Sequence, residues 1–231
     1  MSLDLVDAQT ALLLATLDGM SESDLGDPSA LPGWSRGHVL GHIAGNAEGL
    51  GRRARSVIDG VPRAMYESPE TRDGDIEWRS HRALAQHRLA IAATHDDLRR
   101  DIDGLPGARA SEEVELRAGL AIRIGDFSLL RLQEVCIHHS DLATDGYTWR
   151  DWPDELAAWA LPRAVGMFAA RGEFPVAWVE ADGERLVMIE GDGPGLSGSA
   201  VEVLAWITGR TSGGGLTPVG LSTVPAAPRW L

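Results

Sequence analysis

The chain has 231 residues, of which 44% are hydrophobic and 24% are charged, and its formal net charge at pH 7 is −13. This composition suits a folded protein with one large domain or two small ones. The acidic balance argues against a nucleic-acid-binding surface and against docking on anionic lipid, because both need a basic face. Any small anionic substrate must therefore be held by a local cluster of arginines.

Cys136 is the only cysteine in the sequence, so no internal disulfide can form. The first residues lack the basic and apolar segments of a signal peptide, and no apolar stretch is long enough to span a bilayer. We therefore expect a cytoplasmic protein without a membrane partner. The sequence leaves the oligomeric state open, and a monomer is favoured.

Helical periodicity predicts four helices in the first part of the chain, over residues 3–20, 36–59, 76–102 and 124–144. Residues 65–75, which include Arg72, are predicted to form a loop, and residues 112–124 a short strand or loop. Trp78 and Leu89 are expected on the apolar side of the third helix. Four helices joined by medium loops predict a four-helix bundle, whose core can build a metal site from facing helices.

The second predicted helix is rich in glycine, with Gly37, Gly41, Gly45 and Gly49 spaced four residues apart. Each glycine inside a helix costs roughly 0.5–1 kcal/mol relative to alanine. Such a cost indicates that another helix or a ligand approaches this helix closely.

The pattern of apolar residues changes after Trp149. Residues 154–170 and 200–208 are predicted helices, residues 176–180 and 185–189 a hairpin, and residues 216–219 an edge strand. The fold class is therefore predicted to be α+β. A helical bundle in residues 1–150 is followed by a small α+β domain in residues 151–231.

The stretch from Leu132 to Leu142 carries the clearest chemical pattern. Glu134 and His138 are four residues apart, which places them on one face of a helix. Apolar neighbours put Glu134 inside the bundle, where an unpaired carboxylate is costly and a metal ion would satisfy it. Asp141 is close enough to accept a hydrogen bond from the ring of His138.

Two further histidines, His38 and His42, are also four residues apart, on the second helix. Both could join Glu134 and His138 in a closed structural site, or only one could, which would leave an open catalytic site. His42 lies deeper in the helix, whereas His38 is expected at the surface or in a cap. Such ligands suit zinc and also other divalent metals.

Four segments together resemble the mycothiol-dependent maleylpyruvate isomerases, which are DinB-like metal-binding four-helix bundles. The segments are Leu31–His42, Arg72–Glu77, Glu134–Leu142 and Leu204–Arg210.

The resemblance implies a zinc ion held by His42, Glu134 and His138, with a fourth position open to water or to the thiol of mycothiol. It also implies that Arg210, in the C-terminal domain, reaches toward the active site, and that Arg72 meets the substrate.

The implied function is a cis–trans isomerase of gentisate degradation, which converts maleylpyruvate to fumarylpyruvate. A thiolate adds to the alkene, the resulting single bond rotates, and elimination of the thiolate restores the alkene in its trans form. Arg72 and Arg210 could clamp the two substrate carboxylates. Cys136 is interpreted as a small buried hydrophobic residue, so the thiol comes from outside the protein.

Two other functions are compatible with the same residues. The first is a mycothiol-dependent S-transferase or detoxification enzyme on the same bundle. The second is a non-catalytic metal-binding module, which a closed site that includes His38 would favour.

Overall fold

The computed structural model describes residues 3–117, 120–172, 174–187, 189–227 and 229–230. The chain forms two compact units, of which one ends at Gly146 and the other begins at Tyr147. None of the described helices has both the length and the apolar character needed to cross a membrane.

The first unit is a helical bundle. Its helices are α1 (Asp4–Asp18), α2 (Arg36–Asp59), α3 (Pro69–Ser80), α4 (Leu84–Asp103) and α5 (Phe127–Asp141). α2 packs against α3, α4 and α5, whereas α1 packs against α4 and α5. The longer helices α1, α2, α4 and α5 therefore form the predicted four-helix bundle, and the shorter α3 lies against α2.

The bundle core joins apolar side chains from α1, α2, α4 and α5, and it includes Leu13, Ile43, Ile91 and Val135, all fully buried. Burial of each such side chain stabilises the fold by about 1.5–3 kcal/mol. Ile43 and Val135 directly neighbour the predicted metal ligands of α2 and α5 in the sequence. The core therefore holds in place the backbone of both helices that carry the predicted ligands.

The predicted loop over residues 65–75 is wrong for its second half, because Arg72 lies on α3. The hydroxyl of Ser68 caps this helix by accepting a hydrogen bond from the N–H of Thr71 at 3.1 Å. Pro69 fixes the first turn. This Ser–Pro start outweighs the polar, loop-like composition of the segment.

The prediction of one continuous third helix is also wrong, because a break at residues 81–83 separates α3 from α4. α4 starts with its own cap, in which the side chain of Gln86 accepts a hydrogen bond from the N–H of Ala83. The break shifts the helical register. Trp78 and Leu89, which were predicted on the apolar side of one continuous helix, are 61% and 67% exposed.

The glycines of α2 allow α3 to lie directly against it. A Cβ on Gly37 would lie 2.5 Å from the carbonyl oxygen of Ser80, and a Cβ on Gly41 would lie 2.8 Å from the Cβ of Arg79. The predicted close approach of another helix is thus confirmed. Gly45 differs, because the nearest atom to a Cβ there would be 3.8 Å away.

The segment predicted as a short strand or loop before α5 is an antiparallel hairpin of β1 (Glu113–Arg117) and β2 (Leu120–Arg123). Residues 118 and 119 of its turn lie outside the described residues. A short 3-10 turn at Ile124–Asp126 then leads into α5, so that helix begins three residues later than predicted.

The second unit combines two helices with a small sheet. Its elements are α6 (Asp154–Arg171), β3 (Trp178–Ala181), β4 (Glu184–Val187), β5 (Gly195–Gly198), α7 (Ala200–Ile207) and β6 (Thr217–Val219). The strand order is β4–β3–β5–β6, with β3 and β5 parallel and the other neighbours antiparallel. This architecture confirms the predicted α+β class.

The predicted hairpin is confirmed as β3 and β4, which meet at Asp182 and Gly183, both with positive φ. Met188, in the predicted second strand, lies outside the described residues. The strand β5 was not predicted because it begins with a glycine and is short. The ring of Trp178 covers Gly195 so closely that a Cβ there would lie 2.2 Å from it.

Candidate metal centre

The predicted metal ligands of α2 and α5 meet in the first unit. Nε2 of His42 lies 3.1 Å from Oε2 of Glu134, and Nε2 of His138 lies 3.7 Å from the same oxygen. One ligand atom from each of these three residues lies within 4.8 Å of the others. Donors around a tetrahedral zinc ion are roughly 3.3–3.6 Å apart, so the spacing suits a single ion.

The three side chains differ in exposure. His42 is buried, whereas the side chains of Glu134 and His138 are 18% and 17% exposed. The rings of the two histidines meet edge to face, with centroids 4.6 Å apart. Glu134 and His138 are therefore the more exposed members of the group, and an external ligand can approach on their side.

The protonation states of this group suit metal binding. Burial, helped by the nearby His138, lowers the pKa of His42 to about 4. Burial opposes ionisation of Glu134, but the hydrogen bond with His42 and the positive charges of its neighbours, Arg131 included, outweigh burial and hold its pKa at about 2. At neutral pH the imidazole of His42 is thus neutral and Glu134 is ionised, as metal ligands must be.

Asp141 makes the hydrogen bond that the sequence predicted. Its buried Oδ2 lies 2.8 Å from Nδ1 of His138. When Asp141 accepts the proton of Nδ1, the lone pair of Nε2 is left facing Glu134. Asp141 therefore selects the tautomer of His138 that can bind a metal.

We expect Asp141→Asn to lower the affinity for zinc by about 10–100-fold, because an amide accepts the Nδ1 proton less strongly than a carboxylate does. Competition with a chromophoric zinc chelator measures this affinity. Asp18→Asn is the control, since Asp18 is an exposed carboxylate of α1 paired with Arg88. An unchanged affinity in Asp141→Asn would show that Asp141 does not orient His138.

His38 lies outside the ligand group. Its Nδ1 accepts a hydrogen bond from the N–H of Ser35 at 3.2 Å, and its Nε2 lies 3.0 Å from Oε2 of Glu77. Both ring nitrogens are therefore engaged at the first turn of α2, the capping position that the sequence favoured. This geometry gives no support to a closed site that includes His38.

A buried polar pair near the predicted ligands connects α5 to α2, and it was not predicted from the sequence. Nη1 of the fully buried Arg131 donates to the carbonyl of Ile43 at 2.9 Å and to Oδ1 of Asn46 at 3.1 Å. Burial lowers the pKa of Arg131 to about 10, so the guanidinium remains charged at neutral pH. The detectable signal was helical spacing, because Arg131 precedes Glu134 by three residues and Asn46 follows His42 by four.

A cleft opens beside His42 between α2 and α3, and Arg72 lines it together with Tyr66. The Cζ atom of Arg72 lies 5.9 Å from the centre of the Tyr66 ring, and its Nη1 donates to Asp73 at 2.7 Å. The predicted substrate-binding arginine is thus positioned on the wall of a cleft that also contains a predicted metal ligand.

Arg210, the second predicted catalytic arginine, lies in the second unit just after α7. Its backbone N–H donates to the carbonyl of Ala205, and its guanidinium donates to the carbonyl of Thr208. These contacts describe its place at the end of α7. Its role toward a substrate stays a prediction.

The family model and the solved structures that match this chain all come from mycothiol-dependent maleylpyruvate isomerases. The family model of the mycothiol maleylpyruvate isomerase N-terminal domain matches residues 6–143. The chain is similar to the crystal structure of the mycothiol-dependent maleylpyruvate isomerase and to that of a variant with one histidine replaced by alanine. Each is 24% identical over 99% of this chain and 95% of the other, with a TM-score of 0.88, which shows a shared fold. A comparison with curated proteins found no match.

Proposed function

The chain belongs to the family of the mycothiol maleylpyruvate isomerase N-terminal domain, and we propose that it is a metal- and mycothiol-dependent cis–trans isomerase that converts maleylpyruvate to fumarylpyruvate. The observation that carries this proposal is the convergence of His42, Glu134 and His138 within 4.8 Å. Their partly exposed side is where an external thiol would reach them.

Two imidazoles and a carboxylate match a catalytic zinc site with three protein ligands, although other divalent metals suit them as well. Bound there, a divalent ion would lower the pKa of a coordinated thiol, so that the thiolate of mycothiol is available near neutral pH. The protein holds His42 neutral and Glu134 ionised for this purpose. Asp141 orients the ring of His138, and the positive charge of Arg131 helps to keep Glu134 ionised.

The arginines supply fixed positive charge for an anionic substrate. A guanidinium can bind a carboxylate through two parallel hydrogen bonds, which suits Arg72 on the cleft wall. Fixed positive charge also stabilises the negative charge that develops on a substrate oxygen when a thiolate adds to the alkene. We propose Arg210 as the group for the second carboxylate, a role that rests on the resemblance of its segment to the family.

We expect Cys136→Ala to keep mycothiol-dependent turnover within about threefold, because the loss of one small core side chain mainly affects stability. Cys136 is fully buried on α5 and supplies no atom to the ligand group found in the described residues. The assay is turnover at equal zinc content. A loss of activity without loss of zinc would make Cys136 the nucleophile and remove mycothiol from the mechanism.

An absorbance assay of maleylpyruvate turnover, with and without mycothiol, tests the proposed function. The zinc-loaded protein should turn over only with the thiol, and a chelator should reduce the rate to background until zinc is restored. Turnover without thiol, or none at all, would contradict the proposal. Consumption of one mycothiol per substrate would instead indicate an S-transferase, because an isomerase regenerates the thiol in every cycle.

A further inference from the structure

The cleft between α2 and α3 contains a buried amide of fixed orientation. Asn46 lies one turn after His42, is only 4% exposed and lines the cleft. Its Oδ1 accepts a hydrogen bond from Arg131, and because a guanidinium can only donate, the amide nitrogen must point away from Arg131. Within the described ranges the contact with Arg131 is the side-chain hydrogen bond of Asn46, and it uses Oδ1 rather than the amide nitrogen. The amide nitrogen of this largely buried residue is therefore available to donate to a ligand in the cleft that Asn46 lines.

Tyr66 lines the same cleft as His42 and Arg72. Burial and the charge of Glu134 raise the pKa of the Tyr66 phenol, whereas Arg72 acts in the opposite direction. The phenol is consequently protonated at neutral pH and can donate a hydrogen bond. The Cζ atom of Arg72 lies 5.9 Å from the centre of the Tyr66 ring, so the two donors stand next to each other.

The charges around the cleft favour an anion. Arg52, Arg72 and Arg79 line it against two carboxylates, Glu48 and Asp75. Glu48 is neutralised by Arg79, whose two Nη atoms donate to it at 3.1 and 2.8 Å. The lining thus brings three guanidiniums to one cleft, of which Arg72 also donates to Asp73 outside the lining, in a chain whose net charge is −13. This is the local cluster that an anionic ligand needs in an acidic protein.

We propose that Asn46, Tyr66 and Arg72 form a carboxylate subsite that holds one carboxylate of the substrate beside the metal centre. The identity of the ligand, a dicarboxylate, rests on the proposed function. Amide, phenol and guanidinium groups are all donors, and together they can satisfy both oxygens of one carboxylate. A carboxylate on Asn46 would lie one helical turn from His42, so the rest of the molecule can extend toward the ligand group.

The substitution Asn46→Asp tests this subsite while preserving the packing. Aspartate has the shape of asparagine and can still accept from Arg131, so the fold and the zinc content should be retained. It replaces a donor with a negative charge that faces the ligand. We expect the Kd of succinate, a dicarboxylate without a reactive alkene, to rise at least 10-fold, to about 100-fold, in calorimetric titration of the zinc-loaded protein.

Gln86→Glu is the matched control. It makes the same amide-to-carboxylate change at the exposed start of α4, where the side chain can still accept from the N–H of Ala83. Its Kd for succinate should equal that of the wild-type protein. Tyr66→Phe, which removes only a hydroxyl from the cleft, should raise the Kd by about 10-fold.

Three results would overturn the subsite: no binding of succinate to the zinc-loaded wild-type protein, an unchanged Kd in Asn46→Asp, or an equal loss in Gln86→Glu, which would assign the effect to net charge. Failure of the subsite can be distinguished from failure of the proposed isomerase function. Succinate binding that depends on Asn46 supports the subsite even if maleylpyruvate is not isomerised. Isomerisation with an unchanged KM in Asn46→Asp overturns the subsite and leaves the function standing.

Discussion

Replacement of His42 by alanine is expected to abolish stoichiometric zinc binding and isomerase turnover together. His42 is the proposed ligand from α2, and its Nε2 lies 3.1 Å from Oε2 of Glu134 on α5. Without it, only Glu134 and His138 would remain to hold the ion. Loss of a hydrogen-bond partner behind a ligand already weakens metal binding by about 10–100-fold, so loss of the ligand itself should exceed about 100-fold.

Zinc per chain, determined by mass spectrometry of the dialysed protein, and turnover measure this effect, while circular dichroism checks the fold. His38→Ala is the matched control, because it makes the same change one turn earlier on α2, at a histidine that contacts Ser35 and Glu77. It should keep its zinc. A His42→Ala protein with one zinc per chain and full activity would contradict the site, and zinc loss in His38→Ala would favour a closed structural centre.

Gly37→Ala is expected to destabilise the first unit by about 1–3 kcal/mol, as overpacking of a tight contact does. The added Cβ would lie 2.5 Å from the carbonyl oxygen of Ser80 and 3.3 Å from that of Leu25, and both are backbone atoms. α3 must therefore move away from α2. This cost exceeds the 0.5–1 kcal/mol or so that alanine contributes as the better helix former.

Gly45→Ala on the same helix separates the cost of overpacking from the gain in helix propensity, because it adds the same methyl group without a tight contact. The nearest atom to its Cβ would be Nε of Arg79 at an ordinary contact distance of 3.8 Å. Its stability should be unchanged or raised by up to about 1 kcal/mol. Urea unfolding compares the two variants, and equal midpoints would show that α3 does not rest on the glycine face of α2.

The contribution of α5 to the candidate metal centre could be predicted from the sequence. Helix geometry alone puts Glu134 and His138 on one face of α5 and brings Asp141 within reach of His138. The histidine of α2 that meets them could not be predicted in this way, because spacing within one helix does not show which residue of another helix faces it. The choice of His42 over His38 came from the family resemblance and from depth in the helix.

Three features that depend on packing between elements escaped prediction: the separate helix α3, the contact between Arg131 and Asn46, and the cleft. Apolar periodicity did not reveal α3, because its buried residues are Ile76, Arg79 and Ser80, and only one of them is apolar. The contact between Arg131 and Asn46 joins residues that are 85 positions apart, and the spacing within α2 and within α5 does not show that these two residues meet. The cleft arises from the same packing, so neither its existence nor its lining could be derived from the chain in order.

X-ray absorption at the zinc edge, recorded with and without mycothiol, most directly tests a metal centre that activates an external thiol. We expect nitrogen and oxygen neighbours at about 2.0–2.2 Å in the zinc-loaded protein, and one additional sulfur neighbour at about 2.3 Å once mycothiol is added. A coordination shell made of four protein ligands that mycothiol leaves unchanged would contradict the catalytic centre and indicate a structural zinc.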